Sequence, residues 1–454
     1  MANFLETAHG LVWGIPVLVL IIGVGICLTI RTGFVQLRLF PAALRQFWQL
    51  LCGKRDSGSG VSGFQALCTA LAATVGTGNL VGVAGAICIG GPGSIFWMWI
   101  CGILGMATKY AEVTLAVRYR VSCGGEYLGG PMYMISQGLG KRFSCLAYAY
   151  SFFGVTAAFG VGNATQINAV ISGINGVARR FGGSETRLGN LLMGFLLAAL
   201  VGAMLLGGAK RIGAAAEKLV PLVSVGYILM SLGLLVLCRE RIPAALQAIV
   251  QGAFCPRAVT GGVLGSAFQA LRIGCARGVF TNEAGMGTAS IAHASADTDH
   301  PARQGLMGIM EVFLDTIVIC TLTALVILCS GVSIPYGADA GGSLTADAFS
   351  YVYGDWASVF LALALCCFAF ATVLGWGLYG ARCAQFLFGG GAWKWFSGLQ
   401  IAAVVLGAVL RTDVVWIAAE TVNGLMAVPN LIALMGLMPE LVRLTKEFRG
   451  RYMA

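Results

Sequence analysis

An apolar stretch from Phe64 to Gly90 is interrupted at its centre by Gly76-Thr77-Gly78-Asn79. A lipid-facing helix gains nothing from two glycines and an amide at mid-depth, since broken backbone is tolerated there only where it is buried in protein or lines a cavity. In secondary transporters the ends of two half-helices face a small polar solute at such a break. The interruption therefore predicts a carrier for a small zwitterion.

The composition places the whole chain in the lipid bilayer. Hydrophobic residues make up 58% of the 454 residues and charged residues only 11%, whereas soluble domains carry about 25% charged residues. The net charge of +10 is spread over short loops, so it does not indicate a nucleic-acid partner. We expect an all-α polytopic membrane protein with one integral domain, 1–454, and no obligate protein partner is evident.

Apolar segments of about 20 residues, the length that crosses a bilayer, indicate about eleven transmembrane helices. The predicted spans are 10–31, 63–90, 93–118, 143–176, 189–207, 216–238, 260–288, 304–331, 355–385, 395–411 and 413–440.

Lys and Arg are concentrated in the loops after the first and third spans and in the C-terminal tail. With eleven crossings these three regions share one side, which the positive-inside rule makes cytoplasmic. The 332–354 loop has no Lys or Arg, and its charges are Asp339 and Asp347. We therefore expect an inner (plasma) membrane protein whose N-terminus is outside and whose C-terminus is cytoplasmic.

The ten spans after the N-terminal helix 10–31 divide into two groups of five, 63–238 and 260–440. Five is odd, so the two groups have opposite orientations in the membrane. The counterpart of the 63–90 helix is the 260–288 helix, where the sequence predicts a second break at Gly274-Cys275-Ala276-Arg277-Gly278. Broken helices at corresponding positions of inverted halves indicate a central binding site.

Helix packing is the competing interpretation of these glycines. Gly78 and Gly82 form a G-x-x-x-G pattern, which allows close helix contacts. Packing does not explain Thr77 and Asn79 in the same segment, nor a second break in the other half.

The chemistry of a zwitterion suggests a role for each break. A carboxylate favours free backbone N–H groups at a positive half-helix end, here at Thr77 and Gly78. An ammonium group favours carbonyl oxygens released by unwinding, here at Gly274 to Ala276. Sodium favours several oxygen ligands, and glycines such as Gly76 allow a solute to approach the backbone closely.

Four longer strings resemble the alanine/glycine:cation symporter family, also described as sodium:alanine symporters. They cover residues 91–99 with 109–112, 276–287, 299–305, and Leu374-Gly375-Trp376 with Tyr379. The similarity runs over nearly the whole chain. The resemblance implies Na⁺-coupled uptake of alanine or glycine, with H⁺ as the coupling ion in some members. It also implies a LeuT-type fold, a 5+5 inverted repeat, here with one added N-terminal helix.

The resemblance also implies site residues. Substrate would be held by Gly76, Thr77 and Gly78, with Asn79 serving the substrate or a second ion. Carbonyls of Ala72 and Val75 would face a Na⁺ site shared with Thr372, and Gln166 and Trp376 would shape the pocket. Two positions depart from the family pattern, because Ala371 replaces a hydroxyl residue and Ala381 replaces an acid.

Charged residues within the spans are functional candidates. Lys109 and Glu112 are three apart, which predicts an ion pair on one helix face. Glu311 and Asp315 are four apart, and Arg272 and Arg277 are their expected partners. His293 and His300 fall in a polar stretch that predicts a solvated cytoplasmic loop.

Several alternatives remain open from the residues. An H⁺-coupled carrier would need a titrating carboxyl near the site, and Asp315 and Glu283 are the candidates. A pocket with Gln166 is also compatible with glutamine as substrate. A channel, a membrane-embedded enzyme and a sensor fit less well, since paired breaks suit alternating access and no nucleophile-base triad is visible.

Overall fold

The computed structural model describes residues 7, 9–10, 12–53, 61–256, 266–338, 343–409 and 413–452. The beginning of the predicted 260–288 span lies outside the described residues. So do Asp339 and two basic residues of the loop after the first predicted span, Lys54 and Arg55.

Helices make up almost all of the described chain. In the first half they are α1 (Ile15–Arg31), α2 (Val35–Arg38), α3 (Phe40–Leu51), α4 (Gly63–Thr74), α5 (Val83–Gly90), α6 (Gly93–Arg118), α7 (Pro131–Tyr133), α8 (Ser144–Phe159), α9 (Thr165–Arg180), α10 (Arg187–Leu205) and α11 (Gly208–Leu237). In the second half they are α12 (Ile242–Phe254), α13 (Ala267–Asn282), α14 (Thr288–His293), α15 (Pro301–Val312), α16 (Thr321–Ser330), α17 (Ser343–Tyr353), α18 (Trp356–Phe388), α19 (Ala392–Val409), α20 (Asp413–Leu425), α21 (Ala427–Gly436) and α22 (Met438–Tyr452).

Shorter elements join these helices. Wide π-type turns lie at Gly78–Gly82, Met134–Leu139, Gly160–Ala164 and Phe313–Cys320, and 3₁₀ turns at Lys141–Phe143 and Arg239–Arg241. An antiparallel hairpin pairs β1 (Val121–Cys123) with β2 (Glu126–Leu128).

Within the described residues, eight helical segments are long and apolar enough to cross a membrane, or nine when α4 and α5 are counted as one bent span. The shorter helices α1 and α13 lie within the two remaining predicted spans, 10–31 and 260–288. The all-α polytopic class is confirmed. The number of crossings, eleven, stays a prediction.

The first break is present where the sequence predicts it. A capping box, in which Ser62 and Gln65 bond each other's backbone N–H, begins α4. The helix ends at Thr74, and the chain resumes at Gly78 with its axis bent by 50°. Val75, between the two halves, has extended backbone.

The predicted second break at Gly274 to Gly278 is wrong, because α13 runs unbroken through these residues to Asn282. Gly274 serves close packing instead: a Cβ there would lie 2.2 Å from the carbonyl oxygen of Ser94 on α6. The chain unwinds later, between α13 and α14, where Glu283, Gly285 and Gly287 have positive φ. The second half therefore does contain a break, about two turns further along the chain.

Helix α6 lies at the centre of the molecule. Of the residues in its apolar window 83% are buried, against 28% for α11. It packs against α13 and α15, while α18 packs against α4, α8 and α9. Both breaks are therefore enclosed by protein, which is where unwound backbone is tolerated in a bilayer.

Candidate functional site

The first break leaves backbone donors free. The N–H of Gly76 donates to Asn79 Oδ1 at 2.9 Å, and so does not continue the helical ladder to Ala72. Within the described residues, the N–H groups of Thr77 and Gly78 have no hydrogen-bond partner. These two buried groups begin the next half-helix, whose positive end suits a carboxylate.

Helix α18 brings a hydroxyl oxygen to the same break. A Cβ on Gly76 would lie 2.8 Å from Thr372 Oγ1, and one on Gly375 would lie 2.9 Å from Ala73 Cβ. The Thr372 hydroxyl donates to its own helix, to Phe368 O at 3.0 Å, so its oxygen keeps a free lone pair.

Uncharged oxygens lie at the break where the resemblance implies a Na⁺ site. Ala72 is in the last turn of α4 and Val75 follows the helix, while the Thr372 hydroxyl lies beside the next residue, Gly76. Hard cations take such carbonyl and hydroxyl ligands. The donor set fits Na⁺. Ala371, beside Thr372, supplies no oxygen from its side chain.

Gln166 reaches the break from α9. Its Oε1 lies 3.3 Å from Thr77 Oγ1, and its Nε2 donates to Val161 O at 3.1 Å. The acceptor lies within the wide turn at Gly160–Ala164, where the helical ladder is locally open. Gln166 thus lies at the first break, beside the Thr77 hydroxyl, and its role in the pocket stays a prediction.

Trp376 is fully buried and packs on the same wide turn. A Cβ on Gly162 would lie 2.3 Å from Trp376 Cβ, so only glycine allows this contact. The indole N–H has no partner within the described part of the chain. Its role in the pocket stays a prediction.

Asp315, which the sequence analysis names as a candidate carboxyl for H⁺ coupling, lies at the first break. Asn79 Nδ2 donates to Asp315 Oδ1 at 2.7 Å, and Thr316 Oγ1 donates to Asp315 Oδ2 at 2.9 Å. Asn282 Nδ2 donates in turn to Thr316 Oγ1 at 3.0 Å. The sequence indicates this contact only in that Asp315 and Asn79 lie at similar depths of two apolar spans.

Wide turns occur at three of the segments that meet here, Gly78–Gly82, Gly160–Ala164 and Phe313–Cys320. Such turns are rare and are frequent at functional sites. Their convergence marks this region independently of the residue types.

The sixth helix of the ten, α13, meets the first break at residues other than those predicted. A Cβ on Gly78 would lie 3.2 Å from Thr281 Cγ2. Gly274 and Cys275 instead face α6, where Cys101 Sγ donates to Cys275 O at 3.8 Å. Ala276 lines a separate cavity of about 210 Å³.

The prediction that Arg272 and Arg277 are the partners of the buried acids Glu311 and Asp315 is wrong. Arg272 and Arg277 line that separate cavity, with His9 and Trp13. Arg277 Nη1 lies 3.6 Å from Glu420 Oε1 on α20. The arginines lie on a different side of α13 from the one that faces the first break.

A second buried network corrects two further expectations. Lys109 Nζ lies 3.3 Å from Glu311 Oε1, so Glu311 rather than Glu112 is its ion-pair partner. His293 Nε2 lies 3.2 Å from Glu311 Oε2, and Gln304 Nε2 lies 2.7 Å from His293 Nδ1. His293 is fully buried, so it is not in a solvated loop. His293 forms hydrogen bonds with the polar side chains of Glu311 and Gln304.

A cavity of about 590 Å³ leads to the first break. Thr77 lies at its inner end, and the rim includes Arg180, Asp347 and Ser343. Arg180 Nε lies 3.1 Å from Asp355 Oδ1, beside the start of α18. The cavity therefore opens on the side of the 332–354 loop, the predicted outer side.

Comparison with solved structures supports this architecture. The crystal structure of MhsT in complex with L-phenylalanine matches 87% of this chain and 99% of its own, with a TM-score of 0.51 at 13% identity. The predicted LeuT-type fold is confirmed.

Sequence relatives match over almost the full length. The sodium/alanine symporter AgcS of Methanococcus maripaludis is 43% identical over 98% of this chain and 97% of its own. The probable sodium/glutamine symporter GlnT of Bacillus subtilis is 37% identical over 96% of this chain and 88% of its own. The model of the sodium:alanine symporter family matches residues 1–453. The chain belongs to the sodium:alanine symporter family.

Proposed function

We propose that the chain imports a small neutral amino acid, alanine or glycine, together with Na⁺ by alternating access. One observation supports this most directly. The 590 Å³ cavity is lined by Thr77, whose free N–H lies at the first break, and the hydroxyl of Thr372 lies beside Gly76, the residue before it. Solute and ion would thus bind on opposite sides of one broken helix.

The substrate carboxylate would bind the N–H groups of Thr77 and Gly78. Gln166 Oε1, which accepts one long hydrogen bond from Thr77, is a suitable acceptor for the ammonium group. Gly274, Cys275 and Ala276 were predicted for that role, but their carbonyls belong to a continuous helix. Any part that they take in binding remains a prediction.

Sodium would bind carbonyls of Ala72 and Val75 and the hydroxyl of Thr372. When bound, it would supply positive charge at the C-terminal end of α4, whose carbonyls carry negative partial charge. Holding that end fixes the angle of the first break, and therefore the donors that face the substrate. Each ligand would stabilise the geometry that the other needs, which is the basis of coupling.

Specific observations also support two alternatives to Na⁺-coupled import of alanine or glycine. An H⁺-coupled mechanism would use a buried carboxyl, and Asp315 is hydrogen-bonded to Asn79 within the first break. A glutamine carrier is compatible because a relative of 37% identity is described as a sodium/glutamine symporter.

We also propose that the N-terminus is outside and the C-terminus is cytoplasmic in the cell's inner membrane. Basic loops on one side support this orientation. A fluorescent protein that folds only in the cytoplasm should fluoresce when it is fused to the C-terminus, and a dark fusion would reverse the assignment.

Equilibrium binding tests the proposed ligands. Labelled alanine should bind the purified protein in Na⁺ buffer, and replacement of Na⁺ by K⁺ should lower affinity at least tenfold. Excess glycine should displace the label and excess glutamine should not. Displacement by glutamine alone would move the substrate to the larger amino acid, and binding without Na⁺ would reject the coupling ion.

A further inference from the structure

At the second break, buried backbone N–H groups lose their helical hydrogen-bond partners. Glu283, Gly285 and Gly287 have φ of 53°, 99° and 78°, which is left-handed geometry. This geometry removes N–H groups from the helical ladder, and buried N–H groups need another acceptor. A Cβ on Gly287 would lie 2.3 Å from Pro131 Cγ, so the segment is held tightly on that side.

One carboxylate oxygen supplies the missing acceptor. Glu112 Oε1, on α6, accepts from the N–H of Gly285 at 2.8 Å and from the N–H of Gly287 at 3.1 Å. It also accepts from Asn430 Nδ2 at 2.7 Å. The Glu112 side chain is fully buried, so these bonds do not compete with water.

Asn430, on α21, completes the arrangement. Its Nδ2 also donates to Gly285 O at 2.8 Å, so the amide bonds both the segment and the carboxylate that holds it. Two helices and the unwound segment therefore meet at Glu112, which lies on α6 and contacts α21 through Asn430.

The ion pair expected from the sequence does not explain Glu112. Lys109 pairs with Glu311, and Glu112 Oε2 has no hydrogen-bond partner in the described part of the chain. The unwound segment bonds only one oxygen of Glu112, Oε1. A neutral amide also has one acceptor oxygen.

We infer that Glu112 is a positioning residue, which holds the second break in the geometry from which the transport cycle proceeds. The inference rests on the proposed alternating-access function. Without an acceptor, the N–H groups of Gly285 and Gly287 would seek other partners, and the segment would lose its single arrangement. Substrate binding at Thr77 and Gly78 would be affected less, because Glu112 contacts neither residue.

The test compares Glu112→Ala with Glu112→Gln in proteoliposomes and in detergent. Glu112→Ala should lower alanine turnover at least tenfold, while the Kd for alanine stays within threefold of wild type. Glu112→Gln should restore turnover to within threefold, because its amide oxygen still accepts. Glu440→Gln, a matched change in an acid on α22, should leave turnover and Kd at wild-type values.

Three results would overturn the inference. Equal damage from Glu112→Gln and Glu112→Ala would mean that charge is needed. Parallel loss of folded protein, binding and turnover in Glu112→Ala would mean that the role is only structural. Unchanged turnover in Glu112→Ala would mean that the contacts are dispensable. Absent alanine binding and uptake by the wild type would instead reject the proposed function, and the inference with it.

Discussion

Thr372 supplies a side-chain oxygen to the proposed Na⁺ site, and its neighbour Ala371 supplies none. Thr372→Ala should therefore raise the Na⁺ concentration for half-maximal alanine uptake at least tenfold, while Thr372→Ser should stay within threefold. The measurement is a Na⁺ titration of uptake in proteoliposomes.

The control for this pair is Thr156→Ala. Thr156 also bonds the carbonyl four residues before it, Phe152 O at 2.9 Å, but it is exposed on α8. An unchanged Na⁺ requirement in Thr372→Ala would place the ion elsewhere.

Asp315 distinguishes the two coupling ions. Its carboxylate accepts from Asn79, which in turn accepts from the N–H of Gly76. Asp315→Asn should lower uptake at least tenfold, because both carboxylate oxygens accept hydrogen bonds, from Asn79 and from Thr316, and an amide can replace only one of these acceptors. Under Na⁺ coupling, the residual uptake should still depend on the Na⁺ gradient. Residual uptake that depends on neither the Na⁺ nor the H⁺ gradient would support the proton as coupling ion.

Single residues were predictable from the sequence only where local chemistry determined them. The sequence marks Thr77, Gly78 and Asn79 because a lipid-facing helix gains no stability from such residues at mid-depth. Thr281 and Asp315 could not be assigned in the same way, since their place at the first break depends on how α13 and the helix from Pro301 to Ser330 pack around it.

Helix packing explains the glycine in α13 that the sequence analysis took for a break. Gly274→Ala should destabilise the folded protein by about 1–3 kcal/mol, the usual cost of overpacking, because the new Cβ would meet the backbone of Ser94. Thermal unfolding in detergent measures this as a lowered Tm.

Gly398→Ala is the matched control for Gly274→Ala. It changes a glycine inside α19 that has no atom within 4 Å of an added Cβ, so it should not lower the Tm. Equal Tm values for the two variants would contradict the packing assignment.

The start of α15 should make stability depend on pH. His300 Nδ1 accepts from the N–H of Ala302 and so caps the helix only as neutral imidazole. Burial lowers the pKa of His300, and Arg451 lowers it further, against the carboxylates of Glu447 and Asp299. With the folded pKa below the unfolded value of about 6.5, this contribution is complete above pH 6.5 and is lost as pH falls through the folded pKa.

His300→Asn keeps a capping group that does not titrate in this range. The Tm of the wild type should therefore fall more than that of His300→Asn between pH 7.5 and pH 5. Parallel curves for the two proteins would contradict the capping role.

Element types and most helix positions followed from hydropathy, because an apolar span must satisfy its own backbone hydrogen bonds. The second break did not, since Gly274 to Gly278 and Gly285 to Gly287 look alike in sequence. Packing against α6 decides between them. Gly274 and Gly278 allow close contact with α6, whereas the buried Glu112 carboxylate stabilises the unwound form of the second set.

At the scale of the whole molecule, the family and the fold were both predictable from the sequence. The strings that carry the resemblance lie on or beside α6, α13, the start of α15 and α18, the elements that enclose the breaks. The buried network of Lys109, Glu311 and His293 was not predictable, because its partners lie on three separate elements.

Uptake of labelled alanine into proteoliposomes tests the central claim most directly. An inward Na⁺ gradient should drive accumulation above equilibrium, an H⁺ gradient of equal size should not, and excess glycine should compete with the label. Thr372→Ala should lower accumulation at a Na⁺ concentration that just saturates the wild type, and more Na⁺ should restore it. Accumulation driven by H⁺ alone, or none under either gradient, would contradict Na⁺-coupled import of alanine.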